Sequence, residues 1–288
     1  MKCVLCGSKN KTLIYASTLG TKRITGNQYL CTSSNYGEHG PVYKCNDCKL
    51  VFIVDDTSEK NIINSYTNAQ DPVYVNEMDA RIKTFSVHLK RLAKYFPQAG
   101  RLLDVGAYTG VFLNLARKAG WQATGIEPSK WAVGQAGDLL IINDILRPNI
   151  FPKASFEVVT IWDVIEHFSD PVKALFIVSD YLKPDGILAM TTMDVESITA
   201  KIFGKKWPWY MRMHRVCFSK QTITKTLEKC GFVDIKFNSH IRYLSIRYLL
   251  SKFTKIKFPL DNIIIPVYFG DLFDVYARKP KNVRAVIK

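Results

Sequence analysis

Apolar positions along the chain follow two different periods. Ile82, Phe85, Leu89, Leu92 and Phe96 recur at spacings of three and four, which predicts an amphipathic helix that Pro97 ends. The pattern then shortens. Arg101-Leu102-Leu103-Asp104-Val105 predicts a strand, residues 111–119 a helix stopped by Gly120, and residues 121–126 a second strand. Further strands are expected at 139–143, ahead of Trp162, and at 186–192. A helix capped by Ser219 and stopped at Gly231, then strands at 232–237 and 271–278, complete the series. Strand and helix in alternation predict a doubly wound, Rossmann-like α/β sheet.

The alternation breaks in two places. The first sixty residues are polar and suggest only short strands, at 12–16 and 40–44. Within them stand two C-x-x-C pairs, Cys3 with Cys6 and Cys45 with Cys48. Each pair can offer two thiolates from a tight turn, and Gly7 gives one of those turns its backbone freedom; four thiolates complete a closed tetrahedral zinc site. Residues 1–60 are therefore expected to form a small zinc ribbon whose metal is structural, ahead of a domain spanning 61–288. Cys31 and His39 are possible substitutes for one ligand, whereas Cys217 and Cys230 read as small core residues. The second break covers residues 193–217. Its run Lys205-Lys206-Trp207-Pro208-Trp209-Tyr210-Met211-Arg212-Met213-His214-Arg215 mixes aromatic and basic side chains and reads either as a lid over a substrate or as apolar filler.

Charge is unevenly placed. Residues 193–288 hold 19 basic and 7 acidic side chains, whereas residues 61–192 hold 13 of each. An excess confined to one segment points to a face that meets an anion, although a solvated surface would look the same. No run of eighteen apolar residues occurs, and the start of the chain lacks the apolar stretch of a signal peptide. The expected compartment is the cytoplasm, where thiols stay reduced. Residues 242–253 suggest a helix with Ile246, Leu249, Leu250 and Phe253 on one face, followed by Lys255 and Lys257. It reads as a core helix or as a contact with the inner face of a membrane.

The chemistry concentrates between residues 103 and 186. Gly106 and Gly110 lie in the loop between the first strand and its helix, where the backbone can approach a ligand and the helix start offers free N–H groups. Glu127 ends the second strand, where a carboxylate can take both hydroxyls of a ribose. A dinucleotide loop started at Gly106 would need glycines at 108 and 111, where Tyr108 and Val111 stand. An aspartate on the first strand, in the order D-x-G-x-x-x-G, instead suits the cationic amino-acid end of S-adenosylmethionine.

With Leu103-Asp104-Val105-Gly106-Ala107-Tyr108-Thr109-Gly110, Gly125-Ile126-Glu127-Pro128-Ser129, Phe156 to His167, and Leu182-Lys183-Pro184-Asp185-Gly186, the chain resembles class I S-adenosylmethionine-dependent methyltransferases over about residues 60–280. Within them it looks like the branch that includes sugar methyltransferases, some with a cysteine-rich N-terminal module. The resemblance implies a seven-stranded sheet with Asp104, Gly106 and Gly110 at the methionine end of the cofactor. It further implies Glu127 on the ribose, Asp144 and Ile145 on adenine, and Trp162 and Asp163 over the sulfonium side. Tyr108 departs from the glycine usual there and is expected to narrow the pocket.

Methyl transfer asks mainly for alignment of the acceptor. Where a proton must leave, His214, His167 and Glu166 are the candidates, with His214 preferred. Tyr66 and Tyr74 could lean over a ligand. The expected acceptor is small and anionic, such as a nucleotide-linked or lipid-linked sugar. An RNA substrate and an inactive cofactor-binding regulator are the alternatives. Motifs for methylating exocyclic base amines or cytosine carbon in DNA are lacking, which argues against a DNA partner.

Overall fold

The structure is a computed structural model that describes residues 2–20, 30, 32–33, 35–55, 57, 59–251 and 263–281. Near the N-terminus lie β1 (Lys11–Tyr15), β2 (Val42–Cys45) and β3 (Val51–Ile53). Three helices follow, α1 (Glu59–Asn68), α2 (Pro72–Asn76) and α3 (Met78–Tyr95). The alternating region comprises β4 (Arg101–Val105), α4 (Val111–Lys118), β5 (Gln122–Ile126), α5 (Lys130–Gly134), β6 (Ile141–Ile142), β7 (Phe156–Trp162), α6 (Pro171–Tyr181) and β8 (Leu182–Met193). Beyond it come α7 (Ile198–Phe203), β9 (Val216–Cys217), α8 (Lys220–Lys229), β10 (Val233–Ser239), β11 (Arg242–Ser245), α9 (Ile246–Ser251), β12 (Ile264–Val267) and β13 (Leu272–Arg278).

Seven of these strands form one mixed sheet in the order β10-β13-β8-β7-β4-β5-β6. The five from β8 to β6 run parallel, and β13 is antiparallel to both of its neighbours. The expected seven-stranded methyltransferase sheet is present. Because side chains on a strand alternate between faces, adjacent apolar residues serve two cores. Leu103, Val159, Leu188 and Met190 pack with α6 and α8, while Leu102, Val158, Ile187 and Ala189 pack with Leu92 of α3 and Phe112 of α4. The mainly apolar stretches at 158–162 in β7 and 187–190 in β8 follow from this burial on both faces.

The N-terminal strands and the 193–217 segment share a second sheet, ordered β1-β2-β3-β9. Val51 pairs with Cys217 and Phe52 with Val216. The N–H of Ile53 donates to the carbonyl of Arg215 at 3.0 Å, and the half-buried Arg212 guanidinium grips the buried Asp55 at 2.7 Å. Trp207 and Tyr210 are buried against this sheet, Trp207 completely, and Met211 and Met213 are buried against Ile62 of α1. The segment is thus both packed apolar core and a wall of the central cavity.

Two expectations need correction. Residues 242–253 do not form one helix. Arg242–Ser245 is a strand paired antiparallel with Ile264–Val267, and its Tyr243 N–H donates to Thr84 Oγ1 on α3 at 2.8 Å, so a distant partner overrides the helical spacing. Only Ile246–Ser251 is helical, while Phe253, Lys255 and Lys257 lie outside the described residues. His39 is not a spare metal ligand either. Its Nδ1 and Nε2 face the carbonyl oxygens of Gly40 and Lys205 at 2.6 and 2.9 Å, tying the N-terminal sheet to the insertion. Cys31, the other spare, falls outside the described residues. Among the described residues no helix is long and apolar enough to cross a membrane.

Candidate functional site

A cavity of about 730 Å³ opens at the carboxyl ends of the parallel strands, where a doubly wound sheet binds ligands. Gly106 sits there at φ +76°, and a Cβ on it would lie 2.5 Å from a Val164 methyl. Gly110, at φ +75°, is the residue from which α4 starts, and a Cβ there would meet Leu139 at the same distance. Tyr108 also takes a left-handed conformation, φ +49°, which explains why glycine is common at such a position. Its ring packs edge-on against Tyr74, 4.4 Å between centroids, so Tyr108 and Tyr74 together form one side of the cavity.

Asp104 and Glu127 stand side by side on β4 and at the end of β5, both buried. Asp104 accepts a hydrogen bond from Thr160 Oγ1 at 2.6 Å. Glu127 accepts from the N–H groups of Tyr108 at 3.0 Å and Ser129 at 2.8 Å, which fixes both carboxylate oxygens in place. Burial pushes each carboxyl up to about 7. Asp144 and Ile145 line the same cavity near its mouth. Asp144 is held by Arg147 at 2.6 Å, whose hydrogen bond lowers its pKa. Trp162 lies flat on His88 with centroids 4.3 Å apart, and Asp163 follows it at φ +55°; both face the cavity.

The three candidate proton-handling residues meet on another wall. Glu166 is fully buried and accepts from Thr192 Oγ1 at 3.1 Å. His167 Nδ1 lies 2.7 Å from the Tyr66 hydroxyl and 3.2 Å from the Met213 carbonyl, and His214 Nδ1 lies 2.7 Å from the Trp209 carbonyl. Burial raises Glu166 to about 8 and lowers His167 to about 4 and His214 to about 3. All three groups are therefore held neutral near pH 7.

The sequence did not point to a further polar knot at the cavity, made by His88, His240 and Asp274. Asp274 accepts from His240 Nδ1 at 2.8 Å, Arg91 at 2.6 Å and Thr191 at 2.9 Å. A lone carboxylate inside the apolar run of β13 was the available clue, because a buried charge requires partners.

The four N-terminal cysteines also converge. Sγ of Cys3 lies 3.5 Å from that of Cys48, and Sγ of Cys6 is 3.5 Å from that of Cys45, all four within 4.8 Å of one another. Tetrahedral zinc–thiolate bonds of about 2.3 Å place sulfurs roughly 3.8 Å apart, so the donor set fits such an ion.

The fold is a doubly wound sheet with a cavity at the carboxyl ends of its parallel strands and no dinucleotide-type run of glycines. A family model described as a methyltransferase domain matches residues 78–236, more than half of the chain. The chain belongs to this methyltransferase family. It is 32% identical over 155 residues to a tRNA U34 carboxymethyltransferase of Cronobacter sakazakii, covering 49% of this chain and 47% of that protein. The Serratia proteamaculans counterpart is 30% identical over the same length and coverage. The chain thus spans about half the length of these curated relatives. Among solved structures, a SAM-dependent methyltransferase from Archaeoglobus fulgidus superposes with a TM-score of 0.54 at 19% identity, covering 73% of this chain and 100% of that one. Burkholderia thailandensis 1,6-didemethyltoxoflavin-N1-methyltransferase gives 0.52 at 14% identity, covering 82% and 97%. At these identities the likeness is one of fold.

Proposed function

We propose that this enzyme transfers a methyl group to a small anionic acceptor, such as a nucleotide-linked or lipid-linked sugar, on oxygen or carbon. The observation that carries the reading is the cavity itself. Its 730 Å³ suits a cofactor with one compact partner, and Trp209, Tyr66 and Arg242 line it together with Asp104 and Glu127. The Arg242 guanidinium lies over the Trp209 ring at 5.0 Å, so one wall combines a flat apolar face with a cation. In this reading Asp104, Gly106 and Gly110 serve the methionine end and Glu127 the ribose. Asp144 and Ile145 serve adenine, and Trp162 and Asp163 flank the sulfonium. Cys3, Cys6, Cys45 and Cys48 hold a structural zinc ion.

A second reading, RNA as substrate, is favoured by the names of the curated relatives. Purified protein offered labelled cofactor with nucleotide-linked sugars, their neutral counterparts and tRNA separates the two. The expected result is methylation of charged sugars, weakened by salt more than cofactor binding is, because exposed charges are screened within about 10 Å at 0.1 M salt. Transfer to tRNA alone would overturn it. Equal use of neutral sugars without a salt effect would show the basic residues to be solvated surface.

Glu127→Ala should weaken cofactor binding by about 1–3 kcal/mol, the cost of leaving buried hydroxyls unpaired. Because Asp104 and Glu127 are raised to about 7 and the bound cofactor favours their ionised forms, binding should release protons. Affinity should then rise as pH rises through about 7. Calorimetry in buffers of different ionisation heat measures both effects, and unchanged affinity in folded Glu127→Ala would exclude the ribose role.

A further inference from the structure

Glu166, His167 and His214 lie on the cavity wall with one ligand-capable atom of each within 4.8 Å of those of the other two. None of the hydrogen bonds these side chains make runs between them. Each instead reaches outward. A carbonyl can only accept, so the Trp209 oxygen places the His214 proton on Nδ1 and leaves its Nε2 lone pair as a donor, while His167 Nδ1 lies between the Tyr66 hydroxyl at 2.7 Å and the Met213 carbonyl at 3.2 Å. Outward Nδ1–H bonds to backbone carbonyls are how proteins orient metal-binding histidines, and the Thr192 hydroxyl holds Glu166 Oε2 in the same manner.

We propose that Glu166, His167 and His214 bind a first-row divalent cation whose open positions take oxygen atoms of the methyl acceptor. Two imidazoles and one carboxyl group, which gives up its proton to solvent as the ion binds, form a borderline-hard donor set that leaves room for ligands, unlike the closed four-thiolate cluster. Asp163 beside them adds a negative charge that acts on Glu166 and His167. The His88, His240 and Asp274 knot is a poorer host because the Arg91 guanidinium already occupies its carboxylate.

The ion supplies a route for the acceptor's proton that needs no free base. A coordinated acceptor hydroxyl is more acidic than a free one. Its proton leaves to water, its oxygen pair forms the bond to the methyl carbon, and the carbon–sulfur pair stays on sulfur. His214 then contributes as a ligand.

The proposal rests on reading the cavity as the acceptor site, but its test needs no acceptor. Full-length protein, with its four-cysteine site loaded with zinc, is titrated with Co²⁺ and followed by visible absorption. One equivalent should bind with weak bands of nitrogen and oxygen coordination and no thiolate charge-transfer band. Glu166→Gln and His214→Ala should each weaken binding by more than the roughly 10–100-fold that loss of an outer hydrogen bond costs. S-adenosylhomocysteine binding checks that each variant is folded; should His214→Ala fail that check, the near-isosteric Glu166→Gln decides. Absence of the bands in the native protein, thiolate bands only, or bands unchanged in folded variants would overturn the site. A failed acceptor panel would leave this measurement intact, and failed cobalt binding would leave methyl transfer standing.

Discussion

Cys45→Ser is expected to abolish turnover while sparing most of the cofactor affinity. Binding of a structural zinc ion is worth about 10–16 kcal/mol in small modules, far more than three short strands gain from burying their own apolar side chains. Without the metal the N-terminal sheet should open, and the damage should spread along one route. Strand β3 is the partner of β9, Ile53 bonds to Arg215, and Asp55 holds Arg212, so His214 is positioned from the N-terminal module. Asp104 and Glu127 sit on the other sheet, supported by β4, β5 and β7. Metal analysis should therefore fall by about one ion per chain. Calorimetry should still detect S-adenosylhomocysteine, and proteolysis should cut within residues 1–60 and 193–217. A variant that lost its metal yet kept native melting and turnover would remove the structural role.

Asp274→Ala should cost about 3–5 kcal/mol of stability, the range for breaking a buried charge network from one side. Burial alone would raise this carboxyl, but the neighbouring charges and hydrogen bonds of His88 and His240 outweigh it and hold Asp274 well below the usual carboxylate range. Removing it strands Arg91, His240 and Thr191 together, each directed at one of its two oxygens. The sign of the pH dependence follows. A depressed carboxyl stabilises the fold above the ordinary carboxylate pKa near 4 and loses that contribution as pH falls below it. Thermal unfolding at neutral pH should show the full deficit in Asp274→Ala, a smaller one in Asp274→Asn, and convergence with the native protein in acid. A deficit below about 1 kcal/mol, the size of an exposed ion pair, would show that water enters the knot.

The wall of the cavity built from β4 and β5 was largely legible because its contacts are local. Asp104, Gly106, Gly110 and Glu127 lie within one strand–loop–helix–strand unit, where a short sequence determines both conformation and neighbours. The wall formed by Glu166, His167 and His214 was harder to read. His167 and His214 come from distant segments, and Tyr66 reaches His167 from α1, so their meeting depends on where β9 docks. The strand at Arg242–Ser245 was misread as helix because spacings of three and four can occur by chance in a short apolar stretch, and only pairing with Ile264–Val267 resolves them.

By itself, the sequence determined the doubly wound α/β class, the glycine loop after β4, the carboxylate that follows β5 and the paired cysteine knuckles, because each depends on residues a few positions apart. Tertiary structure alone decided the rest. It merged the N-terminal strands with the 193–217 segment into one sheet and assembled the His88, His240 and Asp274 knot. It also turned Glu166, His167 and His214 toward a common centre. These are long-range contacts, set by which buried surfaces pack together and where a buried polar group can find a partner, and no local pattern of residues encodes them.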